Sequence, residues 1–198
     1  MRHLALTIIT ASALAACSGG TLPSTPGSGA SYDAIPASSC YVSKIQPQTA
    51  QATITFYGWP DNTPPGNAIA HPVVHQRAGG SGTYCDPTTF ATERSNNATI
   101  PYGTKIYVPF LKQYFVREDL CAPSGPSTGS GSNGCYKLWF DLWIGGDAKS
   151  VTKYVVRCER HLTPSAKVSV ILNPDANQPV QHPGPIYNDS PPPQGTCF

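Results

Sequence analysis

The chain reads as a mainly β barrel with one short helix, and three observations lead there. Short runs rich in β-branched and aromatic residues recur along the sequence with polar alternation. Twenty-one prolines and eighteen glycines in 198 residues favour turns and loops over long helices. Six of the seven cysteines lie in Cys40–Phe198, an even set that suits a disulfide-stapled domain.

The strands follow in order. Alternation is visible in Ala52-Thr53-Ile54-Thr55-Phe56-Tyr57, in Lys105-Ile106-Tyr107-Val108, in Tyr114-Phe115-Val116-Arg117 and in Lys167-Val168-Ser169-Val170-Ile171-Leu172. Each is bounded by Pro, Gly or Asn, which is how strands are punctuated. Lys137–Ile144 is a near-continuous apolar run holding Asp141, as expected of a strand covered on both faces. Gly145-Gly146-Asp147 offers a start and cap for a helix over Ala148–Arg157, where Val151, Tyr154, Val155 and Cys158 fall at helical spacing. Tyr154-Val155-Val156 would also suit a strand. Trp59–Gly82 is a long aperiodic loop, of the kind that is often functional.

Ala122–Gly134 is a Gly/Ser/Pro insert between Cys121 and Cys135, so a disulfide is expected to close it. Cys40–Cys197 would hold the domain ends together, which leaves Cys85–Cys158 by elimination.

The N-terminus carries processing signals. Arg2 and His3 precede a short apolar stretch, Leu4–Ala16, too short to span a bilayer. Leu14-Ala15-Ala16-Cys17 looks like a bacterial lipobox, with Cys17 the lipidated residue; ordinary cleavage after Ala13-Leu14-Ala15 is the rival reading. Setting Cys17 aside leaves the even cysteine set, which favours the lipobox. The expected organisation is a signal peptide at 1–16, a Gly/Ser/Pro tether at 17–39 and one domain at 40–198. The protein is therefore expected to be exported, as a cell-envelope lipoprotein or a secreted monomer, touching a membrane only through Cys17.

Charge narrows the partners. Charged residues make up 12% of the chain and the net charge is +2, with no basic stripe, so nucleic acid is not an expected partner. His71-Pro72-Val73-Val74-His75 has a zinc-like spacing, but Pro72 argues against the helix that such spacing needs, and no metal or cofactor is expected.

The candidate site rests on three aspartates at the ends of apolar runs. Asp86 and Asp119 on their own suit turns. Asp141 does not: Trp139-Phe140 and Leu142-Trp143 flank it, and desolvation there should raise its pKa towards that of a general acid. Tyr57, Trp59, Tyr84, Tyr107, Trp139 and Trp143 offer stacking faces for sugar rings, and each would equally serve as core.

The ordered set Asp86-Pro87, Ile100-Pro101-Tyr102-Gly103-Thr104-Lys105-Ile106-Tyr107-Val108-Pro109, Val116-Arg117-Glu118-Asp119 and Phe140-Asp141-Leu142 resembles the three-aspartate (3D) domain. Thr53-Ile54-Thr55-Phe56-Tyr57-Gly58 resembles that domain's opening strand. The resemblance implies a six-stranded double-psi β-barrel with one or two short helices, like the catalytic barrel of membrane-bound lytic transglycosylase A. Related barrels occur in rare lipoprotein A, family-45 endoglucanases and expansins. It further implies Asp141 as catalytic acid/base supported by Asp119 and Asp86, a sugar surface drawn from Tyr57, Trp59, Tyr84 and Trp139, and a peptidoglycan-like polysaccharide as partner. Here Glu118-Asp119 continues into Leu120-Cys121 where the 3D pattern has Thr-Gly-Gly. That departure motivates a second expectation, a non-catalytic polysaccharide-binding or wall-loosening module like an expansin.

Overall fold

Six strands close into a barrel in the computed structural model, which describes residues 40–121, 135, 137–192 and 194–198. The expected leader, the tether with Cys17, and the Ala122–Gly134 insert lie outside the described residues. The strands are β1 (Gln48–Tyr57), β2 (Thr88–Thr92), β3 (Lys105–Val108), β4 (Gln113–Leu120), β5 (Trp139–Trp143) and β6 (Val168–Leu172). Around the barrel the order is β1-β5-β2-β4-β3-β6, with β1 and β5 parallel, β2 and β4 parallel, and the other neighbours antiparallel. This mainly β, closed six-stranded architecture with one α-helix is compatible with a double-psi barrel.

Alternation sorts the strand residues onto two faces. Ala52, Ile54, Phe56, Phe90, Phe115, Phe140 and Leu142 point inward and form the barrel core with Ile106, Val108 and Val170. Tyr57, Ala91, Trp139 and Trp143 point outward, under a second apolar cluster that includes Trp59, Ile69, Ala78 and the Cys121–Cys135 disulfide. A third cluster stacks Tyr84, Tyr107 and Tyr114. Tyr107 donates to the Pro179 carbonyl (2.7 Å) and Tyr114 to that of Asp175 (2.7 Å), which pins the C-terminal segment to the barrel.

The helix α1 spans Thr152–Leu162, later than the Ala148–Arg157 expected. Asp147 does not cap it. Its carboxylate accepts the Lys149 N–H (2.6 Å), and the Ser150 hydroxyl accepts the Asp147 N–H (2.7 Å), so these residues are spent in a turn. Pro164, one residue past Thr163, prevents the helix from running on. Buried Val155, Cys158 and Glu159 face the barrel. The approach is close at the end of β1, where a Cβ on Gly58 would lie 2.6 Å from Val155 Cγ1. A short hairpin of β7 (Tyr187–Asn188) and β8 (Thr196–Cys197) completes the chain.

The disulfides correct two of three expected pairings. Cys121–Cys135 forms as expected, whereas Cys40 pairs with Cys85 and Cys158 with Cys197. Cys40–Cys197 and Cys85–Cys158 are not formed. Cys40 lies beside the tyrosine cluster that holds Cys85, and β8 lies beside α1, so Cys40 and Cys197 are each tied to a near neighbour rather than to one another. Among the described residues no helix is long and apolar enough to cross a membrane.

Candidate active site

Strand register builds the site. Asp119 on β4 is paired with Ala91 on β2, Ala91 with Asp141 on β5, and Asp141 with Thr55 on β1. The four residues form one row across the outer wall of the barrel, with the small Ala91 between the two acids. Two interstrand spacings put the acids' Cα atoms about 10 Å apart. A β-bulge shapes one end of the row: Phe90 lies opposite Arg117 and Ala91 opposite Asp119, which leaves Glu118 as the extra residue.

Asp141 is half-buried and has no cationic partner among the described residues. Trp139 Nε1–H donates to Thr55 Oγ1 (2.9 Å), and the Thr55 hydroxyl donates to Asp141 Oδ1 (2.7 Å). Burial pushes the Asp141 carboxyl up to about 6; the Thr55 hydrogen bond opposes this, and the negative fields of Asp61 and Asp119 add to it. A carboxylate oxygen of Asp141 lies within 4.8 Å of the sulfurs of Cys121 and Cys135. Such a trio suits a metal only as thiolates, and the disulfide consumes both.

Asp119 is committed to its neighbours. Its Oδ1 accepts the N–H groups of Ala70 (3.0 Å) and Leu120 (2.9 Å), and its Oδ2 accepts the Tyr57 hydroxyl (3.0 Å). Burial raises its pKa despite these donors. The same burial, with Asp119 and Asp141 alongside, raises the Tyr57 phenol well above its ordinary value. Tyr57 therefore stays protonated as a fixed donor.

Asp86 belongs to another assembly. His75 Nε2 contacts Asp86 Oδ1 (2.8 Å), and His75 Nδ1 contacts Glu118 Oε2 (2.7 Å). Glu118 is fully buried, accepts the Val73 (3.1 Å) and His75 (2.7 Å) N–H groups and the Val74 N–H, and takes the Thr89 hydroxyl (3.1 Å). Burial alone would depress the imidazole, but hydrogen bonds and charge from Asp86 and Glu118 outweigh it and raise His75 to about 9. Asp86 is lowered, chiefly by His75. Glu118 is lowered as well, because His75 and the backbone donors overcome its burial. The triad staples the long loop to the barrel.

Two acids that the sequence reading did not single out join the first group. Glu159 on α1 is buried, its Oε1 lacks a partner, and burial together with the Asp61 carboxylate lifts its pKa to about 9. It is protonated at neutral pH and lies in the field of Asp61, whose Oδ1 accepts the Gly58 N–H (2.8 Å). Asp61 in a Pro-rich loop looks like a turn residue, and Glu159 falls at the helical spacing of Val155, which was the available signal.

Of the expected sugar-facing aromatics, Tyr57, Trp59, Trp139 and Trp143 gather around the row. Tyr84 and Tyr107 do not: they lie in the tyrosine cluster, with Lys105 Nζ 3.9 Å over the Tyr84 ring. His71 stacks on Tyr102 at 3.8 Å, apart from His75's carboxylate contacts, so the two histidines do not converge.

Fold and site together define a small disulfide-bonded β-barrel with a protonatable aspartate on an aromatic outer wall. The chain belongs to the family described as the DDB_G0273701 N-terminal domain, whose profile matches residues 49–198. A Dictyostelium discoideum protein named Uncharacterized protein DDB_G0273701/DDB_G0273221 is 36% identical over 135 residues, covering 68% of this chain and 56% of that protein. The chain thus spans little more than half of that relative's length. No solved structure matches.

Proposed function

We propose that the protein is an exported, wall-directed barrel, free or anchored through Cys17, that binds a polysaccharide and cleaves it with Asp141 as general acid and then base. The observation carrying this reading is the unpaired, desolvated Asp141 carboxyl, raised to about 6, beside Trp139, Tyr57 and Trp143. Structural disulfides suit an oxidising compartment, which supports export.

The neighbours favour single-group chemistry. An inverting hydrolase needs a second carboxylate free to activate water. Of the two acids expected to assist Asp141, Asp119 has both oxygens taken by donors and Asp86 is held by His75. Asp141 acting alone can protonate the leaving glycosidic oxygen. The carboxylate so formed then accepts the proton of a sugar hydroxyl that closes the product ring, as in the lytic transglycosylases this chain resembles. Asp119 positions Tyr57, and Thr55 orients Asp141.

The same observation favours a second reading, a wall-loosening module without turnover, in which the row binds glycan and Asp141 hands no proton to a glycosidic oxygen. Incubating the protein with peptidoglycan and with plant-type glucans separates the two. Soluble fragments released by the wild type and lost in Asp141→Asn support cleavage. Retention on the polysaccharide without fragments supports binding, and neither outcome from either polymer defeats both.

A further inference from the structure

The outer side of α1 carries chemistry opposite to that of the acid row. Lys153, Arg157 and Arg160 are exposed and recur at spacings of four and three, so they share one stripe of the helix. Among the described residues no carboxylate forms an ion pair with any of them. The Tyr154 ring lies beneath two of these cations, with Lys153 Nζ at 4.8 Å and the Arg157 guanidinium at 5.0 Å.

Two concavities open on this stripe, and Arg157 lines both. One, of about 230 Å³, lies between α1 and the C-terminal hairpin and is lined by Tyr154, His161, Tyr187 and Gln194 among others. The other, of about 500 Å³, runs along Lys153, Val156 and Arg160. The first has a rigid floor: Cys158–Cys197 clamps α1 to β8, and the Tyr187 hydroxyl donates to the Gln194 carbonyl (3.3 Å).

We propose that this pocket is a subsite for an anionic sugar. Arg157 takes the carboxylate or phosphate of one charged saccharide unit, and Lys153 and Arg160 meet further charges along the same polymer. The guanidinium fork matches either anion in a bidentate way. The inference rests on the polysaccharide reading above and narrows its substrate to an acidic polymer.

Calorimetric titration of the full chain tests it with three probes of equal length: oligogalacturonate, a glycerol-phosphate oligomer and an uncharged cello-oligosaccharide. A charged probe should bind at least ~10-fold more tightly than the neutral one, and Arg157→Gln should weaken it ~10-fold. Added salt should weaken it too. Carboxylate-only or phosphate-only binding identifies the source of the anion and supports the subsite in either case. Neutral binding as tight as charged, no charged binding at millimolar concentration, or an unchanged Arg157→Gln overturns it. Arg157 is exposed, so the variant should keep its thermal midpoint. Normal binding by Asp141→Asn with loss in Arg157→Gln keeps the subsite even if the wild type turns nothing over. Turnover lost in Asp141→Asn with binding unchanged in Arg157→Gln overturns the subsite alone.

Discussion

Two groups of carboxylates, carried by the barrel strands, the loop before β2 and α1, differ above all in whether a cation lies beside them. Asp86 and Glu118 share the cation His75, and both have lowered pKa values. Asp119, Asp141 and Glu159 have no cation within ion-pair range among the described residues, and burial raises all three. A paired acid gives up its proton and holds a loop in place. An unpaired one holds its proton to higher pH than an ordinary carboxyl, and where it is not already hydrogen-bonded at both oxygens it can hand the proton on. Glu118 and Asp119 are adjacent in the chain and yet fall in different groups, so the fate of each acid is decided by what the fold brings alongside.

The first way to break this comparison is to remove the proton at the unpaired site. Asp141→Asn should lower glycan turnover by about 10²–10⁴-fold with the circular dichroism unchanged. Equal turnover would assign Asp141 to the wall alone.

The converse change removes the cation from the paired site. His75→Ala leaves the buried Glu118 charge without its counter-ion, and chemical denaturation should show a loss of about 3 kcal/mol at pH 7. The pH dependence gives its sign. His75 is raised from 6.5 to about 9, so its contribution is complete below pH 6.5 and fades as pH rises through 9. Asp86 and Glu118 are lowered, so theirs holds above the ordinary carboxylate range and fades in acid. Both slopes should flatten in the variant.

Glu159 behaves in the opposite sense to Asp86. Its pKa is raised from 4.5 to about 9, so the protonated form stabilises the fold, and stability falls as pH climbs from about 4.5 to 9. Glu159→Gln keeps the shape and a donor without the titration. Denaturation midpoints measured from pH 5 to 9 should decline less in the variant than in the wild type, and parallel curves would place Glu159 among ordinary carboxylates.

The smallest effect sharpens the picture of Asp141 itself. Thr55 lowers the Asp141 pKa by donating to the carboxylate, so Thr55→Val should raise it. A general acid works while protonated, so the alkaline limb of the activity profile should move up by a fraction of a pH unit. A limb moved downward would mean that Thr55 serves the neutral form.

Much of the barrel was legible in the chain. Lys105–Val108 stands as read, and β1, β4, β5 and β6 differ only at their ends, because short β-branched and aromatic runs between turn residues mark a strand whether one face or both are covered. β2 was not legible. Thr88-Thr89-Phe90-Ala91-Thr92 is buried at every position but carries only one large apolar side chain, Phe90, and Asp86-Pro87 before it reads as a turn. Asp119 and Asp141 share a row only through Ala91, and no local signal announces that register. Asp86 has the residue type and flanking that suggest the same site, yet His75, eleven positions earlier, claims it. The one closed disulfide expected correctly spans a short separation, where proximity along the chain decides pairing. The two longer ones depend on where the termini pack.

Carbon-13 carboxyl NMR, following Asp86 and Asp141 in one sample from pH 2 to 9, tests the contrast most directly. Asp141 should titrate with a midpoint of about 6, and Asp86 should titrate below the ordinary aspartate value of 3.8. A shared midpoint for the two, or Asp141 the lower, would contradict the account.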